Sequence, residues 1–232
     1  KFDTDPMLFA AGNTWIDLKT GQPVTPQANT LVSLQSSVRY DPEADCPVFK
    51  SFLNEIFLDD DALVKFVQRT VGYSLTGRIE EQCLFIFNGD GANGKSTLVN
   101  TITKLLGGYS KTAPEQTLLA NQRTGVGDDL AYLQGARFIS VSEIDEGQAL
   151  AEAKVKRITG GDDIAGRALY SLYGSLNIVG KIVIATNNLP KINGKDHGIY
   201  RRLQIVPFQR RFEAHEQDKT FADKLEAELS GI

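Results

Sequence analysis

The stretch CLFIFNGDGANGKST, residues 83–97, decides the fold. A short apolar run (83–88) precedes a match to G-x-x-x-x-G-K-[ST], and a helical pattern follows from Lys95 to Leu106. The glycines let successive N–H groups point at phosphate oxygens, and the start of a helix adds a favourable dipole. Lys95 is placed to reach the β- and γ-phosphates, while the Ser96 hydroxyl is placed for Mg²⁺. We therefore predict a nucleotide-phosphate site formed by Gly89, Asp90, Gly91, Ala92, Asn93, Gly94, Lys95, Ser96 and Thr97.

Further short apolar runs follow at 137–142, 181–186 and 203–208, with a helical pattern at 152–159. Apolar runs without alternation indicate strands that are buried on both faces, as in a parallel sheet covered by helices. The sequence therefore predicts an α/β fold with a central, largely parallel sheet.

The residues before this sheet predict a smaller N-terminal region. Turn signals at Gly12-Asn13 and Thr20-Gly21 favour short strands within 8–40. From Pro47 an apolar face at helical spacing predicts one helix, and Asp59–Asp61 is suited to cap a second helix that ends near Gly77. A last helix is expected at about 215–229.

Composition narrows the function classes. The 232 residues are 41% hydrophobic and 23% charged, which is typical of a globular protein and excludes a disordered chain. No apolar run approaches the roughly 20 residues of a membrane span, so a soluble protein without a membrane partner is expected. Cys46 and Cys83 lie in no CxxC pattern, which favours buried thiols in a reducing compartment such as the cytoplasm.

The net charge of −4 hides an asymmetry along the chain. Residues 151–212 hold eleven Lys and Arg against four Asp and Glu, a balance of +7, whereas the other residues carry −11. The total charge argues poorly for nucleic-acid binding, but the local basic segment favours it.

Polar side chains follow the predicted strands. Glu143 comes directly after the 137–142 run, and we prefer it to Asp145 and Glu146 as the acid that holds Mg²⁺ and activates water. Asn187 follows the 181–186 run, where an amide can bind the γ-phosphate or position the attacking water. Arg201 and Arg202 precede the last strand, where three interpretations stay open: a phosphate-binding pair, a DNA-binding pair or surface charge. A guanidinium beside a γ-phosphate is worth about 10³–10⁵ in rate.

Together these segments resemble superfamily 3 helicases, in particular the primase-helicases of phages, plasmids and poxviruses. NGDGANGKST and RFISVSEIDEG are similar to the Walker A and Walker B motifs of that family. ATNNLP (185–190) is similar to motif C, and DHGIYRRLQIVPF (196–208) to its arginine-finger segment. KVKRITGGDDIAGRALY (154–170) resembles the B′ segment, and NTWIDLKTG and YDPEADCPVFKSFL resemble the region before the helicase core.

The resemblance implies an AAA+-type ATPase that forms a hexameric ring around DNA, with ATP and Mg²⁺ bound between subunits. Arg202, with Arg201, would then reach the γ-phosphate of the neighbouring subunit, and Arg202 is preferred. A hairpin after the B′ segment would line the pore. Tyr170 and Tyr173 would either pack inside this hairpin or stack on bases, and packing is preferred. The implied DNA-contacting residues are Lys154, Lys156, Arg167 and Lys181.

The resemblance also sets the expected organisation. We expect a pre-helicase region at 1–78, a helicase core at 79–212 and a C-terminal helix at 213–232, as a piece of a longer chain with primase and winged-helix domains. The expected function is an ATP-dependent helicase or translocase for single-stranded or forked DNA in phage or mobile-element replication, in the host cytoplasm. The alternative is a slow ATP-dependent DNA-binding or assembly module that does not unwind. A P-loop kinase or GTPase is disfavoured because N-K-x-D is absent.

Overall fold

The computed structural model describes residues 2–25, 30–120, 128–162, 164–166, 174–194 and 196–232. In these residues the strands are β1 Leu8–Ala10, β2 Trp15–Asp17, β3 Gln22–Val24, β4 Leu84–Asn88, β5 Ser110–Ala113, β6 Phe138–Val141, β7 Ile164–Gly166, β8 Gly174–Leu176, β9 Lys181–Thr186 and β10 Leu203–Pro207. The helices are α1 Pro47–Ile56, α2 Asp61–Leu75, α3 Lys95–Leu106, α4 Asp128–Tyr132, α5 Glu152–Gly160, α6 His197–Tyr200 and α7 Phe221–Ala227.

The central sheet of the described chain has the strand order β10-β4-β9-β6-β5, and every pair in it is parallel. The expected α/β fold with a parallel sheet is therefore confirmed. β9 lies between β4 and β6, so the segments after these three strands meet at one edge of the sheet, which we call the carboxyl edge. The opposite edge, where the strands begin, is the amino edge.

Both faces of this sheet are buried, as the apolar runs predict. On β4, Phe85 and Phe87 enter a core that they share with α1, α3 and β10, whereas Leu84 and Ile86 enter a second core with α5. Alternate side chains of a strand point to opposite faces, so both faces need helical cover. The first core also contains Phe9 and Ile56 from the N-terminal region, which packs directly on the sheet.

The N-terminal elements form as their sequence predicts. β1, β2 and β3 make an antiparallel meander, and α1 buries its apolar face through Phe49, Phe52 and Ile56. The Asp60 side chain caps α2 by accepting hydrogen bonds from the amides of Ala62 and Leu63, both at 3.0 Å.

The last helix, α7, is shorter than the expected 215–229. The Asp218 carboxylate accepts hydrogen bonds from the amide and the hydroxyl of Thr220, at 2.8 and 2.7 Å. This turn directly precedes the helix, so the chain is not helical before Phe221.

Candidate active site

The glycine loop, residues 89–94, joins β4 to α3 at the carboxyl edge. A Cβ on Gly89 would lie 2.2 Å from the carbonyl oxygen of Phe208. Gly94 has φ +86° and precedes the first residue of α3, and a Cβ there would lie 2.7 Å from Ile56 Cγ2. Because neither position has room for a side chain, the motif glycines permit a loop that is packed between α1 and the end of β10.

The segment after β10 fixes the shape of the glycine loop. The Phe208 amide donates to the Asn88 carbonyl at 2.7 Å, and the Phe212 amide donates to the Ala92 carbonyl at 2.7 Å. In the other direction, the side-chain Nδ2 of Asn93 donates to the Phe208 carbonyl at 3.4 Å and also to the Asp90 carbonyl. The loop is thus held on both sides, with Asp90, Gly91 and Ala92 left exposed at its tip.

Lys95 turns its ammonium group towards the glycine loop. Its side chain is buried, with 5% of the residue exposed. The ammonium nitrogen donates to the carbonyl of Gly89 and lies 3.1 Å from Asn93 Oδ1 and 3.1 Å from Asn187 Oδ1. Burial lowers the pKa of Lys95, and the charges of Glu143 and Asp90 oppose that shift.

Asn187 connects the lysine to the acid of the neighbouring strand. Its Oδ1 accepts from Lys95, and its Nδ2 donates to Glu143 Oε1 at 3.4 Å. This assignment of oxygen and nitrogen gives the ammonium an acceptor and the carboxylate a donor. The structure therefore brings together three residues that the sequence singles out separately: one after β6, one after β9 and one at the start of α3.

Glu143, Asp145 and Glu146 all lie exposed after β6, and of these three acids, within the part of the chain that the structure describes, only Glu143 forms a hydrogen bond with Asn187. Ser96 is exposed in the first turn of α3. The described residues contain no cluster of three or more His, Cys, Asp or Glu that would bind a metal unaided. A hydroxyl and a carboxylate fit a Mg²⁺ ion, which in nucleotide sites also takes phosphate and water oxygens.

A cavity of about 410 Å³ adjoins the glycine loop. Its walls come from α1, the loop, α3 and the segment 212–229, and include Phe52, Thr97, Thr101, Phe212, Gln217 and Phe221. This volume lies in the range of small-molecule sites, and an apolar lining with a few polar groups is typical of them. No motif in the sequence indicated this cavity, because its wall combines residues that are far apart along the chain.

The two adjacent arginines lie at the amino edge, far from the glycine loop of the same chain. They directly precede β10, whose five residues separate them from the carboxyl edge by about 16 Å at roughly 3.3 Å per residue. Arg202, which the family resemblance favours as the residue that reaches a neighbouring γ-phosphate, is the more enclosed of the two. Only 8% of Arg202 is exposed, whereas Arg201 is exposed.

Three acceptors surround the Arg202 guanidinium: the Gly198 carbonyl at 2.6 Å, Thr159 Oγ1 at 3.1 Å and Gln82 Oε1 at 3.1 Å. Burial lowers the pKa of Arg202, and the charge of Arg201 acts in the same direction. Arg202 therefore ties α5 and α6 to the chain before β4. Arg201 shares the Gln82 acceptor, and its side chain lies at the surface.

The expected DNA contacts differ in their surroundings. Lys154 and Lys156 are half-buried on α5, and Lys156 forms an ion pair with Asp196. Arg167, Tyr170 and Tyr173 lie outside the described residues. β7 and β8, which precede and follow this stretch in the sequence, pair with each other antiparallel.

The expectation for Lys181 is wrong, because 2% of this residue is exposed. Its ammonium donates to the carbonyls of Thr76, Arg78 (3.1 Å) and Val179 (3.2 Å), and it lies 4.8 Å from the centre of the Tyr73 ring. Burial, with a smaller contribution from the charge of Arg137, lowers the pKa of Lys181 to about 7. Lys181 binds the backbone after α2 and is not available to DNA.

None of the described helices combines the length and the apolar character that crossing a membrane requires.

Comparison with known proteins identifies the family of this chain. Residues 87–202, half of the chain, match the family model described as a family of unknown function, DUF5906. Residues 1–58 match the model described as D5 N terminal like. The chain belongs to the DUF5906 family, among the primase-helicases of phages and viruses that its motifs resemble.

Individual relatives come from large DNA viruses. The chain is 28% identical over 222 residues to the putative helicase L207/L206 of Acanthamoeba polyphaga mimivirus, covering 93% of this chain and 23% of the relative. It is 23% identical over 211 residues to the putative primase C962R of African swine fever virus (isolate Tick/Malawi/Lil 20-1/1983), covering 87% and 22%. The chain thus spans about a quarter of the length of these curated relatives.

The fold is shared with the C-terminal region of NrS-1. An apo structure of that region superposes with a TM-score of 0.67 at 13% identity, covering 87% of this chain and 49% of the other.

Proposed function

We propose that this chain is an ATP-hydrolysing motor core that acts on DNA as part of a larger replication protein. The observation that carries the proposal is the contact series Lys95–Asn187–Glu143 at the carboxyl edge, beside a glycine loop that has no room for a side chain at Gly89 or Gly94. These are the group types that phosphoryl transfer to water requires: a cation, a polar group that orients the reacting groups, and a carboxylate base.

In this proposal the triphosphate of ATP lies on the glycine loop and the nucleoside occupies the adjoining cavity. The loop amides and the Lys95 ammonium bind phosphate oxygens, which replace the oxygen atoms of Gly89, Asn93 and Asn187 as hydrogen-bond acceptors. Ser96 and Glu143 would hold Mg²⁺, which supplies further positive charge at the phosphates when it is bound.

Glu143 is the best candidate for the base that activates water. It is the acid whose carboxylate contacts Asn187, and its exposed side chain lies at the same edge as the glycine loop. Asp145 and Glu146 follow in the same segment without that contact among the described residues. Asn187 then orients both the γ-phosphate and the carboxylate that takes the proton.

Arg201 is proposed to act on the ATP of a neighbouring subunit. It lies at the amino edge, about 16 Å of strand away from the loop of its own chain, and its side chain is exposed. A ring in which the amino edge of one subunit faces the carboxyl edge of the next would bring the two together. A hexamer is the assembly that the family resemblance implies.

The proposed partner is single-stranded or forked DNA. Its support is the +7 balance of residues 151–212, the antiparallel pairing of β7 with β8 and the names of the viral relatives. Lys154, Lys156 and Arg167 remain candidates for backbone contacts. Primase and winged-helix domains would lie elsewhere in the full-length protein, and the host cytoplasm is its proposed location.

The test is the ATPase rate per subunit as a function of protein concentration, with and without single-stranded DNA. A rate that rises steeply with concentration and again with DNA supports shared sites in a DNA-bound ring. Strand separation of a forked duplex then distinguishes a helicase from a slow DNA-binding or assembly module. A rate indifferent to both concentration and DNA would contradict the proposal.

A further inference from the structure

Gln82 lies beside the paired arginines at the amino edge, in a turn that no motif predicts. The turn closes through a hydrogen bond from the Gln82 amide to the Ile79 carbonyl at 2.9 Å. Gln82 has φ +49°, a left-handed conformation that a residue with a side chain adopts at an energetic cost. Two residues later the Leu84 amide donates to the Arg202 carbonyl at 2.7 Å, so the turn is in register with the arginine pair.

Both guanidinium groups use one atom of Gln82. Arg201 and Arg202 each donate through Nη2 to Oε1, with a distance of 3.1 Å for Arg202. An amide oxygen has two lone pairs and can accept both bonds. The two positive charges repel each other, so a shared neutral acceptor holds the exposed Arg201 next to the buried Arg202 without cancelling its charge.

The side chains of Lys181 and Tyr73 hold the turn in place through hydrogen bonds to its backbone. Lys181 donates to the carbonyls of Thr76 and Arg78, and the Glu81 amide donates to Tyr73 Oη at 3.3 Å. Arg202 is in turn fixed by Thr159 and Gly198. The position of Gln82 Oε1 at the amino edge is therefore fixed, and the exposed Arg201 is hydrogen-bonded to it.

We infer that Gln82 is a positioning residue for Arg201, holding its guanidinium extended for the γ-phosphate of the adjacent subunit. This inference rests on the proposed function. A neutral acceptor suits this role because Arg201 can leave it for a phosphate, whereas a carboxylate at the same place would form charge-assisted bonds about twice as strong. Misplacement of a reacting group by about 1 Å costs on the order of 10²-fold in rate.

The main variant is Gln82→Gly in the 232-residue chain, since glycine adopts the left-handed backbone while removing the acceptor. We expect kcat for ATP to fall about 10- to 100-fold with KM and ADP affinity within twofold of wild type. Affinity for ADP with aluminium fluoride, which mimics the transferring phosphoryl group, should fall with kcat. Gln82→Glu should also lower kcat, and Glu81→Ala, a change in the same turn, should leave it unchanged.

A mixture of subunits separates positioning from a merely structural role. The Gln82→Gly subunit keeps an intact glycine loop, and the Lys95→Ala subunit keeps an intact arginine pair. Mixing the two variants therefore creates some interfaces in which an intact loop faces an intact arginine pair. We expect ATPase activity to recover in this mixture but not in a mixture of Gln82→Gly with Arg201→Ala. If Gln82→Gly does not fold, Gln82→Asn serves in its place, because asparagine tolerates the left-handed conformation but is one methylene shorter.

An unchanged kcat in the folded variant, or a lowered kcat without recovery in mixed assemblies, would overturn the inference. Failure of the proposed function has a different signature. It would appear in the wild-type protein, as turnover that responds neither to protein concentration nor to Arg201→Ala.

Discussion

The ammonium nitrogen of Lys95 lies 3.1 Å from the side-chain oxygen of Asn187, a residue on a different strand-end and 92 positions later in the chain. The amide nitrogen of the same Asn187 reaches Glu143. One amide therefore couples the cation and the carboxylate of the site, and its two ends cannot be exchanged without losing both hydrogen bonds.

Replacing Asn187 with alanine should separate binding from hydrolysis. We expect kcat for ATP to fall about 10²-fold, because loss of one preorganised polar group costs roughly that much, while ATP affinity stays within a few-fold. Asn188→Ala is the matched control, since its contacts with Thr186 use backbone atoms. Steady-state ATPase and equilibrium binding assays measure both quantities. Equal losses in the two variants would contradict the role assigned to Asn187.

The adjacent arginines should give opposite phenotypes. Arg201→Ala should abolish turnover at unchanged stability, because its side chain is exposed. Arg202→Ala should lower the free energy of unfolding by about 2 kcal/mol or more, because three hydrogen bonds to a buried charged group are lost. Denaturant unfolding and ATPase assays on each variant test this. Mixing Lys95→Ala with Arg201→Ala should restore activity, and a co-assembled mixture without recovery would rule out Arg201 acting between subunits.

Two glycines of the same loop should differ sharply in their tolerance of a methyl group. A Cβ on Gly89 would meet the Phe208 carbonyl oxygen at 2.2 Å, whereas nothing lies within 4 Å of a Cβ on Gly91. We expect Gly89→Ala to destabilise the protein by roughly 1–3 kcal/mol and Gly91→Ala to change stability by less than about 0.5 kcal/mol. Thermal unfolding measures the change in stability of both variants. A Gly89→Ala protein as stable as wild type would show that the loop is not held against Phe208.

Lys181 should make stability depend on pH. Its pKa is lowered from 10.5 to about 7 in the folded protein, so between these values the unfolded chain binds more protons and stability rises with pH. Between pH 7.5 and 9.5 we expect wild type to gain roughly 2 kcal/mol relative to Lys181→Met. Urea unfolding at both pH values measures the difference, with Lys19→Met as an exposed control. A parallel response of wild type and Lys181→Met would refute this.

The sequence could predict the elements that a single local pattern specifies. α3 begins at Lys95 and ends at Leu106 as expected, and β9 covers the predicted Lys181–Thr186, because a glycine-rich loop and an apolar run are strong local signals. β5, with the sequence SKTA, escaped prediction since it is an edge strand with little apolar character. The shortened α7 depends on a turn at Asp218 that overrides helical spacing.

The residues of the candidate site also differ in whether a local sequence pattern predicts their role. Lys95, Glu143 and Asn187 follow from motifs, because each comes in the segment that follows a strand, in a sheet whose strands run in parallel. The difference between Arg201 and Arg202 could not be foreseen, since adjacent residues share one motif and only packing decides which guanidinium is enclosed. Lys181 likewise looks like a surface charge until the carbonyls after α2 are placed around it.

The C-terminal segment also contacts the beginning of α1. The Glu228 carboxylate accepts hydrogen bonds from the amides of Val48 and Phe49, at 3.0 and 2.8 Å across 180 and 179 positions of sequence. The wall of the cavity and the support of the glycine loop thus join early and late parts of the chain. Contacts so distant in sequence slow folding, because a long loop must close before they form. During synthesis, the proposed nucleotide site therefore cannot be completed until α7 has left the ribosome.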